Sequence, residues 1–356
     1  MAYTTINKST AHFNTITWTG NDASPRAMTG VGFQPDLCWS KTRGSTKSHQ
    51  LIDSVRGVTK TISTNTDGAE GSSYGNGFLQ SFDSDGFTSV TGSSETSNWN
   101  GNGLTYVGWN WKAGGTGSSN SDGSITSTVS ANTTAGFSIV KYTGAGGTQT
   151  VGHGLGAIPE VVMVKRLDSA NSWIVWNKHT QGNNRYLVLN TTAAQATNST
   201  FFQETPPTSD VFYVGNDAGI NGGSNTYIAY CFKSINGFSH HGYFRGNGQA
   251  DGSVIYTGFK PKLVIIKVAY ASSGSDFTNH WFMFDDQLNG YNGNNEYLKC
   301  DANEAISSST NRIDILSNGF KCRTSNDGVN SASGVYTYMA FGQSIVGSNN
   351  IPCTAR

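Results

Sequence analysis

The residues best suited to chemistry are few and scattered. Asp83-Ser-Asp85-Gly86 places two carboxylates one residue apart, which is how a calcium loop begins to turn oxygens towards a hard cation. The further ligand and closing glutamate of such a loop are missing, so an ordinary turn is the simpler reading. His240 and His241 offer two imidazoles, but neighbouring residues of a strand face opposite ways and no third ligand is spaced near them. No compact acidic pair for glycoside hydrolysis can be placed, and there is no G-x-S-x-G elbow. Gly152-His-Gly-Leu-Gly156 precedes a strand instead of opening a helix, so it reads as a turn and not as a phosphate cradle. Trp99 and Tyr74, set among Gly, Ser and Asn, could stack on sugar rings or pack against a neighbouring subunit. No catalytic, cofactor-binding or metal-ligating residue is assigned on this reading, and no cofactor is expected.

Composition narrows the classes further. Lys plus Arg and Asp plus Glu both number 23, giving a formal net charge of zero. A neutral chain lacks the basic face that displaces counterions from nucleic acid, and nothing in its net charge opposes association. Charged residues make up 13% of the chain, against roughly 25% in an ordinary soluble domain. The 44 glycines could signal disorder, but 8 Trp, 15 Tyr and 18 Phe supply large areas to bury. The balance reads as many short strands joined by Gly/Asn/Ser turns. The cysteines Cys38, Cys231, Cys300, Cys322 and Cys353 form no C-x-x-C pair, and free thiols made in a reducing cytoplasm are expected. The first residues lack the apolar core of a signal peptide, and no stretch approaches the roughly 20 apolar residues of a membrane helix.

The strongest feature is internal repetition. Gly32-Phe-Gln-Pro-Asp-Leu-Cys-Trp-Ser-Lys41, Gly154-Leu-Gly-Ala-Ile-Pro-Glu-Val-Val-Met-Val-Lys165 and Gly258-Phe-Lys-Pro-Lys-Leu-Val-Ile-Ile-Lys267 share one pattern. Each sets a lysine at the same distance after a proline: Pro35 and Lys41, Pro159 and Lys165, Pro261 and Lys267. An aromatic strand leading to Gly20, Gly144 or Gly246 lies upstream. Downstream come His49-Gln-Leu-Ile-Asp53, Trp173-Ile-Val-Trp-Asn177 and Trp281-Phe-Met-Phe-Asp285. Each copy closes on a matching strand, Thr105-Tyr-Val-Gly-Trp109, Thr226-Tyr-Ile-Ala-Tyr230 or Thr337-Tyr-Met-Ala-Phe341, whose landmark tyrosines are Tyr106, Tyr227 and Tyr338.

These runs are too short and too often interrupted by glycine to be helices, while four-residue apolar stretches suit strands covered on both faces. The expected fold is all-β: three tandem β-sandwich-like units with pseudo-repeat symmetry, at 12–113, 137–235 and 238–344. Residues 1–11 read as an N-terminal arm, 114–136 as a flexible Gly/Ser/Thr-rich linker, and 345–356 as a tail. The tight second junction predicts that units two and three form a rigid pair, with unit one looser. Val162, Val164, Ile228, Tyr230, Val264, Ile266 and Met339 are expected in the core. The recurrent lysines are expected to end their strands by snorkelling to solvent. Both terminal segments are expected to be held by neighbouring molecules rather than by the units.

The three G-F-x-P-type segments, Asp53-Ser-Val-Arg-Gly57, the Asp122–Phe137 stretch and the ending Val346–Arg356 resemble a family of repetitive structural proteins of marine tailed phages, including cyanophages. The resemblance implies a virion component and carries over no catalytic residue. A non-enzymatic tail-fibre or receptor-binding role leads, with other virion proteins, copies of itself and a host surface glycan as partners. Head decoration is the alternative, and a glycan depolymerase ranks third.

Overall fold

The computed structural model describes residues 4–72, 74–92, 98–272, 278–288, 292, 296–308 and 311–344. Its regular structure is almost wholly antiparallel strand, with short 3-10 turns at Ser9–Ala11 and Tyr74–Asn76. The chain begins with β1 (Phe13–Thr19), β2 (Arg26–Thr29), β3 (Leu37–Thr42) and β4 (Gln50–Asp53). A hairpin of β5 (Gly77–Asp83) and β6 (Gly86–Thr91) follows, then β7 (Thr105–Trp111), β8 (Ser118–Asn120) and β9 (Ser127–Asn132). Next come β10 (Phe137–Thr143), β11 (Gln149–Gly152), β12 (Val161–Arg166) and β13 (Ile174–Asn177). β14 (Arg185–Val188), β15 (Ala196–Thr197), β16 (Val211–Val214) and β17 (Thr226–Phe232) complete the middle of the chain. The last third holds β18 (Ser239–Arg245), β19 (Val254–Tyr256), β20 (Phe259–Ala271) and β21 (Phe282–Asp285). It ends with β22 (Leu298–Lys299), β23 (Ile313–Leu316), β24 (Gly319–Cys322) and β25 (Gly334–Ser344).

One plan recurs. The main sheets run β1-β7-β3-β4, then β10-β17-β12-β13 with further strands at both ends, then β18-β25-β20-β21-β22. Each is faced by a small sheet: β2-β6-β5, β11-β16 and β19-β24-β23. The proline-to-lysine runs become β3, β12 and β20, each hydrogen-bonded on both edges. Alternation along them explains their continuous apolar character. Leu37, Trp39, Val161, Met163, Leu263 and Ile265 enter one core common to all three sheets. Their neighbours Cys38, Val162, Val164, Val264 and Ile266 enter separate cores beneath the small sheets. A strand buried on both faces has no polar side to show, so it reads as an apolar block. All the core positions expected from sequence are buried, from Val162 and Ile228 at 0% exposed to Met339 at 3%.

The common core gathers Trp39, Trp109 and Trp111 with Trp173, Tyr230, Phe232, Trp281, Met339 and Phe341. The gap left at its centre, lined by Trp39, Trp111, Trp173 and Phe341 among others, amounts to about 20 Å³. Its walls offer no exposed polar atom, so even a single water would lack partners.

Three expectations are corrected here. Residues 114–136 are not a flexible linker: β9 pairs with β10, and β8 pairs with β9, so the segment extends the second main sheet. Unit one is not loosely tethered, because its tryptophans fill the common core. The arm is held by the units themselves: Ile6 is 2% exposed within that core, and Ser9 is buried. Residues 345–356 lie outside the described residues, as does Cys353, while the other four cysteines are buried and free.

The two-sided burial of β20 gives a first test. Ile266→Ala should cost about 2–5 kcal/mol, read as a lower urea midpoint, whereas Ile158→Ala, at a position 54% exposed, should stay within about 0.5 kcal/mol. Equal effects at the two positions would contradict the two-core arrangement.

Candidate functional site at the seams between units

The landmark residues meet where one unit abuts the next. Lys41 and Lys165 stand next to last in β3 and β12, Lys267 lies inside β20, and all are buried, at 1%, 0% and 0% exposure. The snorkelling expectation is therefore overturned: both faces of these strands are covered, so no direction leads to solvent. Each Nζ instead donates to backbone carbonyls. Lys41 reaches Thr42 O at 2.6 Å and Ser45 O at 3.3 Å. Lys165 reaches Arg166 O at 2.7 Å and, across the seam, Asp67 O at 3.1 Å. Lys267 reaches Asn279 O at 2.5 Å and Thr192 O of the middle unit at 2.9 Å.

Two residues past each lysine, a carbonyl accepts an amide from the adjoining unit. Glu70 N donates to Leu167 O, Gln195 N to Ala269 O and Ile306 N to Arg43 O, each at 2.8 Å. The head of the next strand repeats the relation. Trp173 Nε1 donates to Ser63 O at 2.9 Å, and Trp281 Nε1 to Val188 O at 3.0 Å. His49 holds that place in the first unit; its Nδ1 accepts from Trp39 Nε1 at 2.8 Å and its Nε2 donates to Lys299 O at 2.9 Å. Units one, two and three are thus joined in a closed cycle; the lysine crosses the first two seams, whereas the bonds of Lys41 stay within its own unit and Ile306 N and His49 carry the third.

The strand ends join the units in the other sense. Tyr230 donates its hydroxyl to Asp53 Oδ2 at 2.7 Å, and Trp109 Nε1 donates to Asp285 Oδ2 at 3.0 Å. At the third seam the corresponding residues are Asn177 and Met339, and no acid stands where no donor is offered. Asp53 also pairs with Arg56 at 2.5 Å, both side chains fully buried, and Arg56 extends to Glu70 at 3.2 Å. The Asp53–Gly57 motif is therefore a knot beneath the first seam.

Register corrects one landmark. Tyr106 pairs with Thr42 and Tyr227 with Arg166, each following its lysine, but the residue paired with Val268 is Tyr336. Tyr336, not Tyr338, is the third member. It stacks on Phe244 at 5.1 Å as Tyr106 does on Trp18 at 5.2 Å and Tyr227 on Tyr142 at 5.1 Å. The three hydroxyls accept the amides of Ser331, Gly101 and Gly222, each at 2.8 Å. Tyr338 is also buried, two places on, beside His240. Pro35 and Pro159 precede their strands as expected, whereas Pro261 lies inside β20 at a register shift, where its missing N–H is tolerated.

Sequence reasoning missed a further triad, Asn100, Asn221 and Asn330, all 0% exposed. Their Nδ2 groups donate to Ala23 O at 2.7 Å, Gly147 O at 2.9 Å and Gln249 O at 2.8 Å, clipping the loop after the first strand of each unit. At the start of these loops Gly20, Gly144 and Gly246 tolerate no Cβ, which would lie 1.9, 2.4 and 2.1 Å from a backbone oxygen of the clipped partner. The signal was present: each asparagine stands at one fixed distance before the stacked tyrosine, and that distance selects Tyr336 over Tyr338.

The other candidates are consumed by the fold. Asp85 accepts the amides of Gly30 at 3.1 Å and Gly32 at 2.6 Å, while Asp83 accepts Ser81 and Thr88 hydroxyls at 2.7 Å each. His153 accepts Leu155 N at 3.2 Å within a turn. Trp99 is 0% exposed and offers no ring to a sugar; the Tyr74 side chain lies outside the described residues. Among the described residues, no group of His, Cys, Asp and Glu could hold a metal, and no helix is long and apolar enough to cross a membrane.

Residues 8–344 match the model of a family described as a domain of unknown function, DUF7483. The chain belongs to that family. No curated protein and no solved structure matches it. The DUF7483 match spans all three seams, so the cycle lies within one family region.

Burial pushes the lysines down, Lys41 and Lys165 to about 8 and Lys267 to about 7. An amine so depressed can serve carbonyl chemistry, but here no substrate could reach Nζ. Its role is to satisfy carbonyls inside the seam. Between about 7 and the ordinary 10.5 the folded chain holds fewer protons at Lys267 than the unfolded one, so its contribution rises with pH and is lost as pH falls through 7. Lys267→Met leaves two carbonyls without their donor and should cost about 1–3 kcal/mol. The wild type should gain on the variant as pH rises from about 7 to about 10, followed by urea unfolding; a constant difference would show that Lys267 does not titrate there. Asn221→Ala should cost about 2–3 kcal/mol through its unsatisfied neighbours, measured the same way.

Proposed function

We propose that this chain is a non-catalytic structural protein of a tailed-phage particle, acting as a tail-fibre or adhesion component. The observation that supports it best is the closed cycle of seams. The most strongly perturbed amines and imidazoles are spent on carbonyls and neighbouring rings inside the molecule, and the whole arrangement braces a rigid body. Such a body suits a part that bears load and presents surfaces. The motifs that resemble marine phage structural proteins point the same way. In this reading the partners are other virion proteins, further copies of this chain and a host surface glycan, and the protein is made in the host cytoplasm before incorporation.

The cycle also favours a second reading, head decoration. Three pseudo-equivalent units in one chain could seat on a local threefold site of a capsid, matching symmetry to symmetry.

Electron cryo-microscopy of purified particles tests both. Density for the three-unit body is expected on the tail, at fibre or baseplate positions. Density at capsid threefold sites would replace the fibre reading with decoration. Absence of the chain from purified particles, checked by mass spectrometry, would overturn the proposal altogether.

A further inference from the structure

The internal repeat supplies its own comparison, because register identifies equivalent surface positions in the three units. In the small sheets Met28, Val151 and Ile255 correspond: each points into its unit's own core. The residues on either side are Ala27 and Thr29 in the first unit, Thr150 and Gly152 in the second, and Val254 and Tyr256 in the third; all face outward except Gly152, which is buried beneath Asn120. Only the third unit presents large apolar groups there, with Val254 57% and Tyr256 60% exposed. The fold does not require them, since the first unit builds the same strand with exposed alanine and threonine at these two places.

The surroundings are specific. Tyr256 pairs across the sheet with Gly319, where a Cβ would lie 2.0 Å from Ile255 O, so the position directly opposite carries no side chain. Gly86 opposes Thr29 in the first unit under the same constraint, which leaves Tyr256 as the element that differs. Phe320 and Cys322 point inward, so Lys321 between them faces outward; Asp314, between buried Ile313 and Ile315, does likewise. Lys321 Nζ meets Asp251 Oδ1 at 2.5 Å, and Arg323 joins Asp251 at 3.6 Å and Asp314 at 3.2 Å. A tyrosine and a valine thus stand on a flat face beside a tethered network of two cations and two carboxylates.

From this juxtaposition we infer that the outer face of β19-β24-β23 is a binding platform for a neutral glycan. This inference rests on the attachment role proposed above and names its site. A pyranose has an apolar C–H face and a polar rim. The ring of Tyr256 with Val254 meets the first; Lys321, Arg323 and Asp251 donate to and accept from the second. The four charges cancel, so neither an anionic nor a cationic partner is selected. Size argues against a protein partner. An aromatic side chain covers about 150–250 Å², and one ring with a valine falls well short of the roughly 800 Å² per partner of a stable protein interface. It is close to what one or two sugar rings cover.

The full chain is titrated by calorimetry with four neutral hexasaccharides (cello-, malto-, manno- and chitohexaose) and with hexagalacturonate. Binding of at least one neutral sugar is expected, and Tyr256→Ala should weaken it by at least about tenfold, with an unchanged urea midpoint. Thr29→Ala, at the equivalent place in the first unit, should leave binding intact. Failure of all four neutral sugars to bind, unaltered binding by Tyr256→Ala, or preference for the acidic sugar would overturn the platform. Adsorption of particles carrying Tyr256→Ala separates this from the broader reading. If the chain is in the particle and adsorption is normal, the platform falls while the virion role stands. If the chain is absent from particles yet binds the sugar through Tyr256, the platform stands and the virion role falls.

Discussion

The structure depends on one constraint: the three main sheets turn a face towards each other and share a single core. A sheet in an ordinary sandwich buries one face and wets the other. Here the second face is also covered, by tryptophans and aliphatic side chains contributed by all three units. Water cannot reach the polar atoms of the central strands, so protein must satisfy them, and those left without a partner among the described residues include Ser40 Oγ, Thr42 Oγ1 and Asn110 Oδ1. The buried lysines, the fixed tautomer of His49 and the indole-to-carbonyl bonds all follow. All but Lys41, whose bonds stay within its own unit, supply a donor to a carbonyl of the adjoining unit.

Cyclic closure then accounts for where the repeat is strict and where it is loose. Positions that face a seam are constrained twice, by their own strand and by the neighbouring unit. Trp173 and Trp281 keep the same bond because each indole finds a carbonyl in the same place, and His49 reproduces it with a smaller ring. Where the chemistry of one partner changes, the other follows: Asp53 meets a tyrosine and Asp285 a tryptophan, but Asn177 stands where the third partner is Met339. A carboxylate with no donor would be a costly buried charge. Burial still raises Asp285 to about 6, so even a hydrogen-bonded acid is held under tension there.

Much of this was legible in the sequence, for physical reasons that also mark its limits. Strand identity, the inner position of the proline-to-lysine runs and the apolar core residues follow from local pattern, because alternation and turn chemistry act over a few residues. The buried lysines were misjudged because snorkelling assumes that solvent lies past the strand end, and only the arrangement of units shows that another unit lies there. Tyr338 was chosen over Tyr336 because a Thr-Tyr pair recurs in sequence, whereas register is fixed by the stacked ring and the asparagine clip. The segment 114–136 reads as a linker from its Gly/Ser content, yet Ser127–Asn132 buries Ser127, Val129 and Ser130 and pairs along the edge of β10. Trp99 was set among polar residues and still lies at 0% exposure, since a loop can carry an aromatic inward when a small sheet needs a core.

Three units in one chain differ from three copies of one unit in a way that bears on function. A homotrimer must carry the same residue at every equivalent outer position, so a recognition feature appears three times or not at all. A fused cycle keeps the shared core, where sequence is bound by the seams, and frees each outer face to differ. The small sheets show this freedom: beside buried Met28, Val151 and Ile255 the outward residues run from alanine and threonine to valine and tyrosine. Divergence concentrated on solvent-facing positions, over an interior that tolerates little, is the pattern expected of a scaffold whose work lies in what it presents. The outer sheet that combines exposed aromatic area with an ordered charge network is therefore where recognition would cost the fold least, because none of the seam bonds described above involves its strands.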